Sequence, residues 1–391
     1  MDRISLTPRA DWRRKVGECG LAWHTADDGQ AYWDESAYWR FSESEIDRLE
    51  AATGELYDLV QQAVDHVVRQ GRLGDFGYGE SAARLIEASW RNRGVAPSLY
   101  GRFDLAYDGH DIKLLEFNGD TPTSLVEAAV VQWWWLEERF PGLDQFNSIH
   151  EKLVAALRRI GAGMGAGRAL HLTCFRPHAE DEGTIEYLAA CAAEAGLPAI
   201  ALGLEDIGWR TGDGRARFVD LADADISLLF KLAPWEWLLK DRFGERLAAE
   251  ALSGRLTVIE PAWKMLAANK LLLASLWELF AGHPLLSPAS LSQADAERFG
   301  AYVRKPATGR EGANITLVER GEAVERTPGG YSQDRFVYQA RARLAHTSAG
   351  YAVLGSWIVD GVAAGLGVRE SAGPITSNTA RFLPHLFQPQ I

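Results

Sequence analysis

Residues 102–118 constrain the fold of this chain most, because they combine two β-runs with polar side chains at alternate positions. Arg102 and Asp104 lie two residues apart, and so do Glu116 and Asn118. Side chains two apart on a strand point to the same face of a sheet. An antiparallel hairpin would therefore carry two polar pairs, and the turn decides whether these pairs meet.

The turn between the two β-runs sets their register. A two-residue turn at Asp108-Gly109 would put Glu116 on the wrong face relative to Asp104. A three-residue loop at 109–111, or a five-residue loop at 108–112, would instead set the two carboxylates opposite one another. We expect the carboxylates to face each other, which requires one of the two longer loops.

Converging side chains of these types suit a magnesium site. Asp104, Glu116 and Asn118 supply two carboxylates and an amide oxygen, which are hard ligands for Mg²⁺ that stays bound to substrate phosphates. The guanidinium of Arg102 can stabilise charge that develops on a transferred phosphoryl group. The alternative is a solvated hairpin face, because exposed polar alternation is common in antiparallel sheets.

The composition fits a soluble enzyme with a cleft between lobes. Its 391 residues exceed one ordinary domain. The 41 basic and 53 acidic residues give a net charge of −12, which argues against nucleic acid or an anionic membrane as the main partner. The three cysteines lie far apart, without metal-ligand spacing, and no apolar run approaches a membrane span. We therefore expect a cytoplasmic protein.

The order of apolar segments indicates an α/β fold. A capping box at 42–45 opens a long amphipathic helix to about residue 70. From about residue 164, short apolar strands alternate with helices, which favours a small domain with a largely parallel sheet. The predicted strands are Ala169–Phe175, Pro198–Leu202, Ile226–Leu232 and Leu256–Ile259. The glycine-rich segment 161–167 is interpreted as a linker into that domain. It does not follow a strand and open a helix, as a dinucleotide-binding fingerprint would.

A second polar constellation lies within residues 302–315. A strand that ends near Lys305 is followed by a small-residue loop with Gly309 and Gly312, and then by another strand. Glycine lets a backbone approach phosphate oxygens, while Lys305 supplies a point charge and Arg310 a planar fork. This pattern predicts a phosphate-binding loop, and the alternative is an ordinary glycine hairpin.

Lys270 is an isolated cation in another predicted element. A helix is expected from Ala262 to Phe280, and Lys270 stands in its otherwise apolar sequence. A lysine in such a position commonly snorkels to solvent. A phosphate-binding role therefore depends on where the fold places the ammonium group.

Together these segments resemble the ATP-grasp ligases, in particular the synthetase domain of glutathionylspermidine synthetases. The resemblance covers nearly the whole chain. The segments that carry it are Arg102–Asp104, Glu116–Pro122, Glu260–Lys264, Asn269-Lys270, Lys305-Pro306, Gly309–Asn314, Tyr338–Ala340 and Asn378–Phe382. Their order is the specific part, because this family is circularly permuted and places the metal hairpin before the two nucleotide lysines.

The resemblance implies an α/β architecture of α+β lobes. The expected fold is an ATP-grasp fold with circularly permuted motif order and an inserted small α/β domain of the pre-ATP-grasp type. Residues 1–160 would hold the N-terminal helical region and the metal-binding hairpin, 161–262 the small α/β domain, and 263–391 the ATP-binding lobe with the glycine-rich loop and the C-terminal strands. Only the synthetase domain is expected, without the amidase domain of the two-domain enzymes.

The resemblance also implies roles for individual residues at the nucleotide. Asp104, Glu116 and Asn118 would hold Mg²⁺ that bridges the phosphates of ATP. Arg102 and Arg310 would act catalytically, close to the transferred phosphoryl group. Backbone groups of Val337–Ala340 would bind the adenine. The residues expected to bind the nucleotide are Lys270, Lys305, Gly309, Gly312, Asn314 and Gln339.

The substrate residues follow from the same resemblance. Arg369 resembles a position that grips a substrate carboxylate, while Asp181 and Glu182, with Glu180 beside them, resemble positions that hold the amine. The alternative for the acidic residues is a charged first helical turn, which the helix dipole favours.

The predicted function is that of an ATP-dependent carboxylate–amine ligase that forms an amide through an acyl phosphate. The acid would be glutathione or another peptide-like molecule, and the amine would be a small molecule such as a polyamine. An ATP-dependent phosphotransferase and a nucleotide-binding regulatory protein without turnover are the alternatives.

Overall fold

The structure, a computed structural model, describes residues 1–26, 28–163, 168–212, 215–377 and 379–389. Part of the predicted linker 161–167 and Asn378 of the last resembling segment therefore lie outside the described residues. Within the described ranges, no helix is both long enough and apolar enough to cross a membrane.

Strands and helices alternate along the chain. In chain order the strands are β1 (Asp2–Ser5), β2 (Ala37–Ser42), β3 (Tyr100–Tyr107), β4 (Ile112–Asn118), β5 (Leu170–Cys174), β6 (Ala199–Gly203), β7 (Gly208–Gly212), β8 (Arg215–Val219), β9 (Leu228–Leu232), β10 (Thr257–Ile259), β11 (Ala289–Ser290), β12 (Ala301–Pro306), β13 (Thr316–Glu319), β14 (Glu322–Arg326), β15 (Phe336–Ala340), β16 (Ala345–Thr347), β17 (Gly350–Val359), β18 (Val362–Ser371), β19 (Arg381–Leu383) and β20 (His385–Gln388). The helices are α1 (Trp12–Glu18), α2 (Glu43–Arg69), α3 (Glu80–Arg91), α4 (Gln132–Arg139), α5 (Ile149–Ala162), α6 (Ala179–Glu194), α7 (Trp235–Leu238), α8 (Arg242–Leu252), α9 (Trp263–Ala268), α10 (Leu272–Leu279) and α11 (Gln293–Ala296). One π-helical turn, Glu127–Val131, leads into α4.

Three sheets position the site. One joins the hairpin β3-β4 to β17, β18 and β19, with β16 paired to β17, so that strands from both ends of the chain lie side by side. A second, antiparallel sheet has the order β11-β15-β12-β13-β14 and carries Lys305. The third has the order β10-β9-β5-β6 and is parallel throughout. The predicted regions 1–160, 161–262 and 263–391 stay a prediction, because sheet pairing alone does not define domains.

The parallel sheet confirms the interpretation of the segment after residue 164. Its strands coincide with the apolar runs that were predicted as strands, and α6 follows the first of them. Apolar runs of this kind fit strands that are buried on both faces. The antiparallel hairpin β7-β8 between β6 and β9 was not predicted.

The hairpin β3-β4 has the predicted pairing but not the predicted loop. Asp104 pairs with Glu116, and Arg102 pairs with Asn118. The connecting loop spans residues 108–111, however, because β3 ends at Tyr107 and β4 begins at Ile112. A register shift lies between Asp104 and Leu105, so Leu115 is the extra residue of a β-bulge. Both predicted loop lengths were wrong, and the bulge restores the facing register.

The predicted helices have different outcomes. Ser42 and Glu45 form the predicted capping box, and α2 follows as expected. The single helix predicted from Ala262 to Phe280 is instead broken into α9 and α10. At the break, the side-chain oxygen of Asn269 accepts a hydrogen bond from the backbone N–H of Leu271 at 3.0 Å. Asparagine competes with helical backbone bonding in this way, and Lys270 therefore lies at a helix break.

Candidate active site

A cavity of about 680 Å³ lies where the hairpin sheet, the five-stranded sheet and the first turn of α6 meet. Most of the predicted site residues line it. Those residues are Arg102, Asp104, Glu116, Asn118, Lys270, Lys305, Gly309, Arg310, Gly312 and Arg369. Four predicted residues are not among the lining residues: Asp181, Glu182, Asn314 and Gln339.

Asp104 lies between two arginines. The Nε of Arg102 is 2.8 Å from Oδ1 of Asp104, and the guanidinium of Arg369 forms an ion pair with Oδ2 of the same carboxylate. Burial alone would raise the pKa of Asp104, but the two arginines together lower it to about 2. The carboxylate is therefore held as an anion, and Arg369 lies beside the predicted metal ligand.

Glu116 has a lysine partner in place of arginines. The Nζ of Lys270 is 3.1 Å from Oε2 of Glu116 and donates to the carbonyl of Gly309 at 2.6 Å. Burial would raise the pKa of Glu116, but Lys270 and Lys305 together outweigh that effect and the net shift is downward. The helix break thus brings Lys270 into the cavity, where it links β4 to the glycine loop.

Lys305 is held by the bulge in the hairpin. Its Nζ donates to the carbonyl of Leu115, the bulged residue, and to Oε1 of Gln339, each at 2.8 Å. Gln339 in turn donates to the carbonyl of Leu114 at 2.8 Å. Burial lowers the pKa of Lys305 to about 8, although Glu116 opposes the shift. The ammonium group is therefore fixed at the cavity wall.

The segment Val337–Ala340, whose backbone groups are predicted to bind the adenine, lies within the five-stranded sheet, and its role stays a prediction. Strand β15 lies between β11 and β12, so its backbone groups face partner strands on both sides. The side chain of Gln339 is buried and supports Lys305. The segment after this strand, residues 341–344, lines the cavity beside Val303 and Leu317.

The glycine loop folds over the cavity. Gly312 has a φ of +71°, and a Cβ there would lie 2.4 Å from the carbonyl oxygen of Thr376, so glycine is required at this position. Arg310 donates to Oγ1 of Thr121 at 2.8 Å. Asn314 turns away from the cavity, and its Oδ1 accepts a hydrogen bond from the backbone N–H of Tyr331 at 2.7 Å. This contact helps to shape the loop, and the assignment of Asn314 to the nucleotide stays a prediction.

The opposite end of the cavity is acidic. Glu180 lines it and accepts a hydrogen bond from the backbone N–H of Ser124 at 3.2 Å. Burial and neighbouring Glu127 raise the pKa of Glu180 to about 8. Glu127 is fully buried, and its pKa is also raised by burial. Tyr32 completes this end, with its hydroxyl 3.1 Å from Oγ of Ser124.

Of the three acidic residues at the start of α6, Glu180 lines the cavity, whereas the predicted amine residues Asp181 and Glu182 do not. Glu182 accepts a hydrogen bond from the backbone N–H of His178 at 3.0 Å and lies against Arg176, outside the cavity. Asp181 lies 3.5 Å from the ring of His178. Successive side chains on a helix are about 100° apart, so only Glu180 of this acidic run reaches the cavity. Asp181 and Glu182 are not among the lining residues, and their predicted role in holding the amine stays a prediction.

Sequence reasoning missed two cavity residues, Tyr32 and Ser124, and the fully buried Glu127. Ser124 and Glu127 lie three residues apart in one segment, but no spacing pattern links them to Tyr32. Ser124 has a φ of +67°, which is uncommon for a residue other than glycine. Only the tertiary fold brings these three residues together.

Mg²⁺ fits the predicted ligands by their chemistry. Asp104 and Glu116 face each other as anions, and Asn118 lies on the same face, with its amide nitrogen 3.3 Å from Glu116 Oε1. Among the described residues, no group of three or more His, Cys, Asp and Glu side chains could hold a metal ion. A site with two carboxylates and an amide therefore suits an ion that takes its other ligands from phosphates and water.

The sequence is similar to a family of synthetases and to several individual proteins. The sequence model of the family described as "Glutathionylspermidine synthase preATP-grasp" matches residues 3–388. A Haemophilus influenzae protein named "Putative acid--amine ligase" is 38% identical over 403 residues, which covers 100% of both chains. Trypanothione synthetase from Crithidia fasciculata is 26% identical over 352 residues, 84% of this chain and 53% of its own length.

A further relative is the bifunctional glutathionylspermidine synthetase/amidase of Escherichia coli, which is 26% identical over 324 residues, 77% of this chain and 51% of its own length. The chain thus spans about half the length of the last two relatives. The solved structure of a glutathione synthetase-like effector from Globodera pallida superposes with a TM-score of 0.57 at 9% identity, covering 98% of this chain and 100% of the other. That likeness confirms the predicted mixed α/β fold, while the circularly permuted motif order stays a prediction.

Proposed function

Because the chain belongs to the glutathionylspermidine synthase preATP-grasp family, we propose that it is an ATP-dependent acid–amine ligase that works through an acyl phosphate. The family relationship confirms the predicted resemblance, and relatives named as ligases and synthetases confirm the predicted enzyme class. One observation carries the proposal further. A single cavity joins a carboxylate pair, seven cationic side chains and a separate acidic end.

The cationic end suits ATP and the acid. Lys270, Lys305 and the loop around Gly309 would hold the phosphates, while residues 341–344 would flank the adenine. Arg369 would turn its guanidinium to the carboxylate of the acid, because planar forks bind carboxylates well. When bound, Mg²⁺ on Asp104, Glu116 and Asn118 would neutralise phosphate charge.

Two bond changes make the amide. A carboxylate oxygen of the acid attacks the terminal phosphorus of ATP, and ADP leaves with the electrons of the broken P–O bond. The amine nitrogen then attacks the carbonyl carbon of the acyl phosphate, and phosphate leaves. Arg102 and Arg310 would stabilise charge on the transferred group, and closure of the glycine loop would keep water from the acyl phosphate.

The acidic end suits the amine. The half-buried Glu180 lies near the buried Glu127, and burial raises the pKa of both carboxyls. A bound ammonium group would favour the ionised form of Glu180, which could then take a proton as the amine nitrogen becomes a nucleophile. We accordingly assign the amine to this end, and to Glu180 in place of Asp181 and Glu182.

The class of partners follows from these assignments. The acid is a small molecule such as glutathione or another peptide, and the amine is a small molecule such as a polyamine. The three cysteines are unpaired in the structure, which supports the cytoplasm as the location of the enzyme.

The decisive experiment is a matrix of phosphate-release assays. Purified protein with Mg·ATP is incubated with glutathione and related peptides, each with and without spermidine and other amines, and products are identified by mass. The proposal expects release that requires both an acid and an amine, together with an amide of the summed mass less water. Release that needs only an acceptor, with a phosphorylated product, would establish a phosphotransferase. ATP binding without release in any combination would favour a regulatory protein.

A further inference from the structure

Asp120 and Lys231 form an ion pair in the interior of the protein that none of the proposed steps uses. The Nζ of Lys231 lies 2.5 Å from Oδ1 of Asp120, and the two side chains are 0% and 2% exposed. Lys231 is on β9 of the parallel sheet, whereas Asp120 follows β4 of the hairpin. A pair that is removed from water stabilises a fold poorly compared with apolar packing, so its place in the structure calls for another explanation.

Asp120 holds a loop that has little other support. Residues 119–123 lie between β4 and the following helix, and within the described ranges they form no backbone–backbone hydrogen bond. The other carboxylate oxygen of Asp120 accepts a hydrogen bond from the backbone N–H of Trp235 at 3.0 Å. Lys231 also donates to the carbonyl of Ala233 at 3.0 Å. Both ends of the carboxylate are therefore fixed to the end of β9 and the start of α7.

The same loop contacts both arginines that are assigned to the transferred phosphoryl group. Arg102 donates from Nη1 to the carbonyl of Thr123 at 2.5 Å. Arg310 donates from Nη1 to Oγ1 of Thr121 at 2.8 Å and lies over the ring of Trp237, 5.4 Å from its centroid. Trp237 belongs to α7, the helix whose first backbone N–H binds Asp120.

We propose that Asp120 and Lys231 are positioning residues for the ligase reaction, because they anchor loop 119–123 to the parallel sheet and so hold Arg102 and Arg310 over the reacting phosphoryl group. This inference rests on the proposed function for the reaction it serves. The anchoring itself can be measured without turnover.

The chain offers a matched control pair. Glu260 and Lys264 are equally buried, with Nζ 2.8 Å from Oε2. Glu260 accepts hydrogen bonds from the backbone N–H groups of Leu99 and Tyr100 at 2.8 and 3.0 Å. That pair supports the start of β3, which the strand ladders with β4 and β17 also hold in place. Lys264→Met should therefore cost stability without releasing the loop.

The test compares Lys231→Met, the double variant Asp120→Leu/Lys231→Met, Lys264→Met and the parent protein. Three quantities are measured: the unfolding midpoint, the rate of tryptic cleavage after Arg310 in the native protein, and kcat and KM for amide formation. Removing one partner of an ion pair in the interior is strongly destabilising, whereas removing both restores part of the stability. The double variant thus separates positioning from stability.

Lys231→Met and the double variant are both expected to be cut faster after Arg310 and to lose kcat by about 10- to 100-fold, the cost of a catalytic group displaced by about 1 Å. KM for ATP should change little in both. Lys264→Met should lose stability but keep the cleavage rate and kcat. The proposal is overturned if kcat of the double variant recovers together with its stability, or if cleavage after Arg310 rises equally in Lys264→Met. A parent protein that forms no amide would refute the proposed function, while the cleavage rates would still decide the anchoring.

Discussion

Both ends of the cavity carry carboxyl side chains, but the pKa values of these carboxyls shift in opposite directions at the two ends. At the hairpin end, the buried Asp104 and the half-buried Glu116 lie beside cations, and the net pKa shift of each carboxyl is downward. At the α6 end, the half-buried Glu180 lies near the buried Glu127, and the pKa values of both carboxyls are raised. Burial raises the pKa in all four cases, so the partner decides the outcome. One end is organised to keep anions, and the other holds carboxyls whose charge a cationic ligand would favour.

The contrast separates two tasks that an acid–amine ligase must combine. Carboxylates that are paired with cations suit the binding of ATP with a metal, because the metal could replace the cations beside the carboxylates and the phosphates could then pair with the released cations. Carboxyls that form no ion pair within the described residues suit a positively charged ligand that arrives from solution. Substitutions at the two ends should therefore affect different substrates.

The largest expected effect on activity is at the hairpin end of the cavity. Glu116→Gln keeps the shape but removes one negative charge from the predicted magnesium site, so Mg²⁺-dependent phosphoryl transfer should fall on the order of 100- to 1000-fold, as when a major electrostatic group is lost. ATP affinity, measured by calorimetry, should fall much less. Glu180→Gln is the matched control, because it makes the same change at the other end. Equal losses of phosphoryl transfer in both variants would contradict the assignment of different tasks to the two ends of the cavity.

Arg369→Ala should have the next largest effect. It removes the proposed partner of the acid, so KM for the acid should rise by about 10- to 100-fold, as expected for the loss of a charge-assisted bond. Nucleotide binding should stay nearly intact, because Arg102 still pairs with Asp104. Calorimetric titration with ATP beside a folding control checks this. A comparable loss of ATP affinity would place Arg369 in the nucleotide site.

The amine end should show a pH dependence that the hairpin end lacks. The pKa of Glu180 is raised to about 8, so in the free enzyme its carboxylate forms as the pH rises through that value. KM for a polyamine that stays protonated should therefore fall between pH 6.5 and 9. In Glu180→Gln this dependence should be lost, as steady-state kinetics over that range would reveal. An unchanged profile in the variant would remove Glu180 from the amine site.

The smallest expected effect is on stability. The folded-state pKa of Glu180 lies above its usual value of 4.5, so its contribution to stability is present at low pH and is lost as the pH rises through about 8. Asp104 has the opposite sign, since its pKa is lowered to about 2 and its contribution is lost only as the pH falls through that value. Unfolding midpoints should thus fall less steeply from pH 5 to 9 in Glu180→Gln than in the parent. A steeper fall in the variant would contradict the raised pKa.

Local patterns in the sequence were sufficient for several parts of the structure. The alternation in 102–118 predicted that Asp104 faces Glu116, the capping box predicted the start of α2, and short apolar runs predicted the parallel sheet. Each of these features depends on a period or on a few neighbouring residues, which a sequence displays directly. The roles of the individual site residues in binding and catalysis stay predictions.

The loop of the hairpin shows where local reasoning ended. The prediction assumed that the length of the loop sets the register of the two strands. The bulge at Leu115 breaks that link, so Asp104 faces Glu116 although the loop has neither of the predicted lengths. The carbonyl of the bulged residue is also a partner of Lys305, which is far away in sequence. A residue that is left unpaired in the ladder is stabilised by that distant contact, and no pattern within 102–118 reports it.

The sequence by itself determined several of the strands and helices and which charged side chains share a face of the hairpin, because backbone geometry and side-chain periodicity act over a few residues. Tertiary structure alone decided the partners: Arg369 at Asp104, Lys270 at a helix break beside Glu116, Glu180 as the residue of its acidic run that lines the cavity, and Gln339 as a support for Lys305. The ion pairs and hydrogen bonds among them join residues that are far apart in the sequence. Their geometry and their pKa values depend on burial and on neighbouring charges, which exist only once the chain has folded.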